Sequence, residues 1–330
     1  MVTAKAWCRV DLAGGTLDIW PLGLLHPRAC TVNVAVDLAV TVGLRPLERG
    51  YRVRQAASVA EADTAAELAR HPEAALIGVA AAALELPPFE AALTSESPRG
   101  GGLGASSAMT VAFLAAAEEA FGRPRSAPSQ RVRLARDLEA RLMALPTGVQ
   151  DHYPALLGGA LEIRPFPGGE RVRQLTADLP ALAASLLVVY SGQTHFSAGN
   201  NWQVVRRRLD GEAEIAELFE GIAAAAADLA PALEAGDLPK VGELMSREWS
   251  YRRRLAEGIS TPVLEALLRA AAEQGAWGGK ACGAGGGGCL AVLCPPERRS
   301  AIAAAMESAG GQVLAARPTG KGLEISTEGL

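Results

Sequence analysis

The chain has 330 residues, 49% hydrophobic and 21% charged, a balance that suits one large or two ordinary folded domains and excludes a disordered chain. A formal net charge of −4 without a block of like charges argues against nucleic acid as a partner. Five cysteines with no Cys-x-x-Cys pair suggest neither a disulfide framework nor a zinc site, so a reducing compartment is expected.

The N-terminus enters an ordered-looking segment at once, with no basic stretch leading an apolar one. The Ala-rich runs carry regular Glu, Asp and Arg, so no membrane span is expected and the protein reads as cytoplasmic. Residues 31–44 alternate, with Val32, Val34 and Val36, then Val40, Val42 and Leu44, on one parity, which predicts a half-buried strand. Glu48-Arg49-Gly50 marks a turn, and residues 51–54 suit the returning strand. Residues 63–84 have helical spacing up to Pro87-Pro88. Helices are expected over 106–121 and 129–143, the second with Val132, Ala135, Leu138 and Leu142 on one face. Strands follow at 161–163 and 186–190.

The second half reads as helices over 198–209, 212–235, 238–254 and 262–274. A strand at 289–294, a helix at 296–308 and strands near 312–316 and 322–325 close the chain. Arg206-Arg207-Arg208 and Arg252-Arg253-Arg254 fall in helical stretches and read as solvated faces. Strands and helices mix without strict alternation, so the expected class is α+β. The boundary is placed near Pro180, giving units 1–180 and 181–330.

Three segments carry chemistry. In Pro98-Arg99-Gly100-Gly101-Gly102-Leu103-Gly104-Ala105-Ser106-Ser107, the glycines let backbone N–H groups approach a ligand closely. A helix start capped by serines follows, so its free N–H groups and positive dipole end make a phosphate cradle. No Gly-Lys-Ser/Thr closes the loop, and the acidic ribose partner of a dinucleotide fingerprint is missing. Near the N-terminus, Arg9-Val10-Asp11-Leu12-Ala13-Gly14-Gly15-Thr16-Leu17-Asp18 reads as a strand, a Gly-Gly turn and a carboxylate able to accept hydrogen bonds. The third, Gly278-Gly279-Lys280-Ala281-Cys282-Gly283-Ala284-Gly285-Gly286-Gly287-Gly288-Cys289, sets four consecutive glycines before a strand.

These segments, in this order, resemble the signatures of the GHMP kinases, small-molecule kinases that move the γ-phosphate of ATP to a hydroxyl. The resemblance implies an α+β fold of two domains, the second ferredoxin-like, with the active site in the cleft between them. It implies ATP phosphates on Gly100, Gly101, Gly102, Gly104, Ala105, Ser106 and Ser107. Mg²⁺ would sit on Ser106, with Ser107 its neighbour, and on Glu139. Thr147-Gly148-Val149-Gln150-Asp151 resembles the family's catalytic segment, making Asp151 the base; Gly158-Gly159 continues the likeness. Arg9, Gly14, Gly15, Thr16, Asp18, Asp151 and Tyr190, in Tyr190-Ser191-Gly192-Gln193-Thr194, would meet the substrate. Lys280, Gly283, Gly285, Gly286 and Gly287 would form the cleft loop, with Lys280 either reaching a phosphate or stabilising the loop. His152 and His195 lack metal-ligand spacing. The Gly-Gly-Lys loop is most like that of D-glycero-D-manno-heptose 7-phosphate kinases, so the expected partner is a sugar or sugar phosphate. Galactose, fucose or glucuronate kinases, or a non-catalytic sensor of the same fold, are the alternatives.

Overall fold

The computed structural model describes residues 1–194 and 198–327; His195 lies outside them. Its first half holds β1 (Val2–Ala13), β2 (Thr31–Pro46), β3 (Tyr51–Gln55), β4 (Ser58–Ala62), α1 (Ala65–Leu68), α2 (Ala75–Ala83) and β5 (Phe89–Ser95). Then come α3 (Ala105–Ala120), α4 (Pro128–Met143), α5 (His152–Leu157), β6 (Ala160–Phe166), β7 (Gly169–Gln174) and α6 (Leu179–Ser185). The second half holds β8 (Leu186–Tyr190), α7 (Ala198–Leu209), α8 (Ala213–Glu234), α9 (Leu238–Arg252), α10 (Pro262–Glu273), β9 (Gly278–Ala281), β10 (Cys289–Leu293), α11 (Arg299–Ser308), β11 (Gln312–Leu314) and β12 (Glu324–Thr327).

The first sheet runs β12-β1-β2-β5-β3-β4, with β6 on β2 and β7 on β6. On β1 the even residues Ala4, Ala6, Cys8, Val10 and Leu12 are apolar, and they share a core with Ala108, Val111 and Ala112 of α3. The odd residues Arg9 and Asp11 therefore face the other way, Arg9 toward Asp151 and the Gly102 carbonyl and Asp11 toward Lys280 of the second half. The second sheet is antiparallel, in the order β11-β8-β10-β9, which with its β-α-β-β-α-β connection is ferredoxin-like. A second core fills the space between this sheet and the helices, with Leu187, Val189, Leu290 and Val292 against Leu264, Leu267 and Ile302.

Two expectations change. The 63–84 segment is not one helix: Thr64 caps a short first turn by accepting from the Glu67 N–H, and Pro72 lies in the break before α2. The chain also does not finish in its second unit, because β12 crosses back and pairs antiparallel with Val2–Lys5 of β1. This covers a sheet edge that would otherwise present unpaired backbone groups. Among the described residues no helix is long and apolar enough to cross a membrane.

Candidate active site

The loop between β5 and α3 is shaped by Gly100, Gly102 and Gly104, all left-handed at φ 65°, 69° and 74°. At Gly102 a Cβ would lie 2.8 Å from the Cys282 carbonyl oxygen, so the loop is pressed onto the third glycine segment. Gly104, not a serine, is the N-cap of α3, and no side chain caps it. The expected serine cap is thus corrected: Ser107 lies in the first turn with its hydroxyl directed to Glu139, and Ser106 is exposed. Among the described residues nothing accepts from the N–H groups of Gly104, Ala105, Ser106 or Ser107. Those free donors and the helix dipole fit a phosphate group. They border a cavity of about 470 Å³ lined also by Asp18, Asp151 and Gly283.

Glu139, on the buried face of α4, accepts from Ser107 Oγ at 3.0 Å and from Thr110 Oγ1 at 3.1 Å. The serine that meets Glu139 is therefore Ser107 and not Ser106, because a helix turns neighbouring side chains about 100° apart. His152 Nε2 is 3.4 Å from the same carboxylate. Burial alone would lower the His152 pKa, but Glu139 outweighs it and raises it. Among the described residues no group of three His, Cys, Asp or Glu forms a ready metal cage. Glu139 lies behind the cavity wall, joined to it through Ser107, and a carboxylate with a hydroxyl is a donor set that fits Mg²⁺, which keeps waters and takes few protein ligands.

Asp151 opens α5 at the cavity wall, and Arg9 Nε and Nη2 donate to its Oδ1 at 3.0 and 2.6 Å. Arg9 Nη1 also donates to the Gly102 carbonyl at 2.5 Å, so one buried guanidinium ties Asp151 to the phosphate-side loop. Arg9 lines the cavity, with its guanidinium engaged by Asp151 and the Gly102 carbonyl. Asp18 accepts from the Gln150 N–H at 2.8 Å. A Cβ on Gly148 would lie 1.8 Å from Asp18 Oδ2, so only glycine lets the two segments meet. Burial, with the charge of Asp151 behind it, pushes the Asp18 carboxyl up to about 6. The structure thus brings Asp18 and Asp151, 133 residues apart in sequence, to one wall.

Other residues fall elsewhere. Tyr190 ends β8, half-buried against the core and paired with Cys289, and does not line the cavity. Gly283 and Gly287 reach the cleft, whereas Gly286 donates to the Ile259 carbonyl at 2.6 Å and a Cβ on Gly285 would strike the same oxygen. Lys280 is completely buried and donates to Asp11 at 2.8 Å and Glu248 at 3.3 Å, so it stabilises and does not reach for a phosphate. Arg252 is no solvated residue: it is 1% exposed and pairs with Glu248 at 2.5 Å. Sequence reading missed Glu248 and Arg252 because an i, i+4 acid–base pair is also the pattern of an exposed helix face. Asp11, a charge inside an apolar strand, was the one available signal.

A phosphate cradle facing carboxylates across a small cleft between two α+β units is the arrangement of a small-molecule phosphotransferase. The sequence matches the GHMP kinases N terminal domain over residues 67–159 and the GHMP kinases C terminal model over 229–312. It is 31% identical over 246 residues to a mevalonate kinase of Pyrococcus horikoshii, covering 72% of this chain and 68% of that one. A D-glycero-alpha-D-manno-heptose 7-phosphate kinase of Campylobacter jejuni is 26% identical over 223 residues, 66% of this chain and 65% of that one. The fold superposes on a D-glycero-D-manno-heptose 1-phosphate kinase from Bacteroides thetaiotaomicron with a TM-score of 0.78, 21% identity and full coverage of both chains. The chain belongs to the GHMP kinase family. It is accordingly a kinase, and ATP is its phosphoryl donor.

Proposed function

We propose that this kinase phosphorylates a hydroxyl of a sugar or sugar phosphate, with D-glycero-D-manno-heptose 7-phosphate as the first acceptor to test. The observation that carries this reading is the pairing of Asp18 and Asp151 on one wall of the cleft beside the free N–H groups of α3. Two carboxylates bind a polyhydroxylated acceptor well and disfavour an acceptor whose reacting end is anionic. Around them the cations are already engaged: Arg9 by Asp151, Arg99 by Glu73, and Arg252 and Lys280 by buried acids. The Gly-Gly-Lys loop and the 26% identical heptose 7-phosphate kinase support the particular sugar.

In this reading the N–H groups of Gly104 to Ser107 hold the transferring phosphates. Glu139, with Ser107 beside it and Ser106 at the cavity, would hold Mg²⁺, which neutralises charge developing on the phosphate oxygens. Asp18 accepts from acceptor hydroxyls and sets their orientation. Asp151, held at Oδ1 by Arg9, has no hydrogen bond to its Oδ2 among the described residues, and this oxygen takes the proton of the attacking hydroxyl. General-base assistance is worth about 10²–10⁴-fold, so Asp151→Asn should lower turnover by that factor with ATP affinity little changed. Near-normal turnover in the folded variant would remove Asp151 from the mechanism.

A second reading has specific support: the curated relatives at 29–31% identity include mevalonate kinases. ADP release with ATP and Mg²⁺ over a panel of heptose 7-phosphate, galactose, fucose, glucuronate and mevalonate separates the two. Preference for heptose 7-phosphate supports the proposal. Preference for mevalonate replaces it, and ATP binding without turnover on any member would favour a sensor.

A further inference from the structure

A buried set of four charges joins the two halves of the molecule directly behind the acceptor-side turn. Asp11 comes from β1, Lys280 from β9, and Glu248 and Arg252 from α9; all four are at most 1% exposed. Two acids and two bases leave the set neutral, which is the condition for burying it at all. Burial would raise the Asp11 pKa, but Lys280, Arg252 and Arg9 outweigh it and hold the carboxyl below its usual range.

The set does more than balance itself. Glu248 Oε1 accepts from Lys280, from Arg252 Nε and Nη2, and from the Gly14 N–H at 3.2 Å. Arg252 Nη2 donates to the Gly15 carbonyl at 2.6 Å, and its Nη1 donates to Thr16 Oγ1 at 3.1 Å. The turn is therefore gripped at its entering N–H, its central carbonyl and its side chain by one i, i+4 pair of α9. Thr16 sits at φ +75°, a left-handed conformation that a β-branched residue resists and that persists only where its surroundings over-determine it. Asp18 follows two residues later, on the far side of which Gly148 and the Gln150 N–H close in.

We infer that Arg252, supported by Glu248 and Lys280, is a positioning residue for the acceptor site: it holds the strained 14–16 turn so that Asp18 presents its carboxylate to the cleft. The second half of the chain thereby sets the geometry of a carboxylate that belongs to the first. This rests on the reading of Asp18 as an acceptor contact. It also separates two groups of residues: Arg252 acts on acceptor binding, and the α3 cradle acts on ATP.

The test uses Arg252→Lys, which keeps the charge beside Glu248 but loses the fork, and the double variant Glu248→Gln with Arg252→Gln, which removes one charge of each sign and leaves neither uncompensated. Hydrogen exchange on the full chain without acceptor is the first measurement. Loss of a charged hydrogen bond is worth at least about tenfold in a local opening equilibrium, so the Leu17 and Ile19 amides should exchange at least about tenfold faster while the α3 amides do not change. Unchanged exchange at Leu17 and Ile19, or acceleration spread evenly over the chain, would overturn the inference. With heptose 7-phosphate as acceptor, the acceptor KM of either variant should rise about tenfold or more against an ATP KM that holds within about twofold. Equal shifts in both constants would also count against it. Failure of the unaltered protein to use heptose 7-phosphate would count against the acceptor assignment alone, since the exchange measurement decides the positioning role without any acceptor.

Discussion

At Asp18, burial and a neighbouring carboxylate act in the same direction, and both favour the protonated acid. An unfolded aspartate titrates near about 4, whereas this one titrates near about 6 in the fold. Its contribution to stability is therefore greatest below about pH 4 and is lost as pH rises through about 6. Ionised Asp18 therefore costs the fold on the order of 3 kcal/mol at neutral pH. Asp18→Asn should raise the melting temperature at pH 7.5 and give almost no advantage at pH 4. Paired thermal melts at the two values check this; an equal advantage at both would mean that the carboxylate is well solvated. Asp18 as a candidate was legible from its place after a Gly-Gly turn. Its raised pKa was not, because Asp151 and the closing Gly148 lie at least 130 residues away in sequence.

The elements that carry the proposed phosphate cradle and Glu139 are α3 and α4. Both were expected within a residue or two, α4 from an apolar face at helical spacing and α3 as the helix that follows the glycine loop. The α3 start depends on Gly104 at φ +74°, where a side chain would be strained and its Cβ would lie 3.2 Å from the Asp151 Cβ. Gly104→Val should weaken ATP binding by at least about tenfold, or about 1.4 kcal/mol, in calorimetry. Unchanged binding in a folded variant would show that the phosphates sit elsewhere. On α4, Glu139→Gln keeps the hydrogen-bonding shape toward Ser107 and Thr110 but loses the charge. The Mg²⁺ concentration for half-maximal activity should rise about tenfold, and an unaltered titration would leave Glu139 a purely structural acceptor. The resemblance had paired Ser106 with Glu139, whereas the structure sets Ser107 against it, because adjacent serines differ only in the direction that the helix gives them.

Across the whole molecule the buried charges of Asp11, Glu248, Arg252 and Lys280 make the two halves depend on each other. Lys280→Met would leave two acids facing a single base inside the core. Breaking a buried pair from one side costs about 3–5 kcal/mol, so the urea midpoint should fall sharply and both halves should lose their protection together. A loss below about 1 kcal/mol would mean that the acids protonate or find water. The α+β class and the three glycine segments were legible in the sequence, because periodicity and backbone freedom are local properties; the ferredoxin-like second unit was implied by the family resemblance, and its strand order came only from the structure. The break in the 63–84 helix, the return of β12 to β1 and the roles of Arg252 and Lys280 were not legible in the sequence. A solvated arginine and a buried one have the same neighbours in sequence, and only the packing of distant elements removes the water that tells them apart.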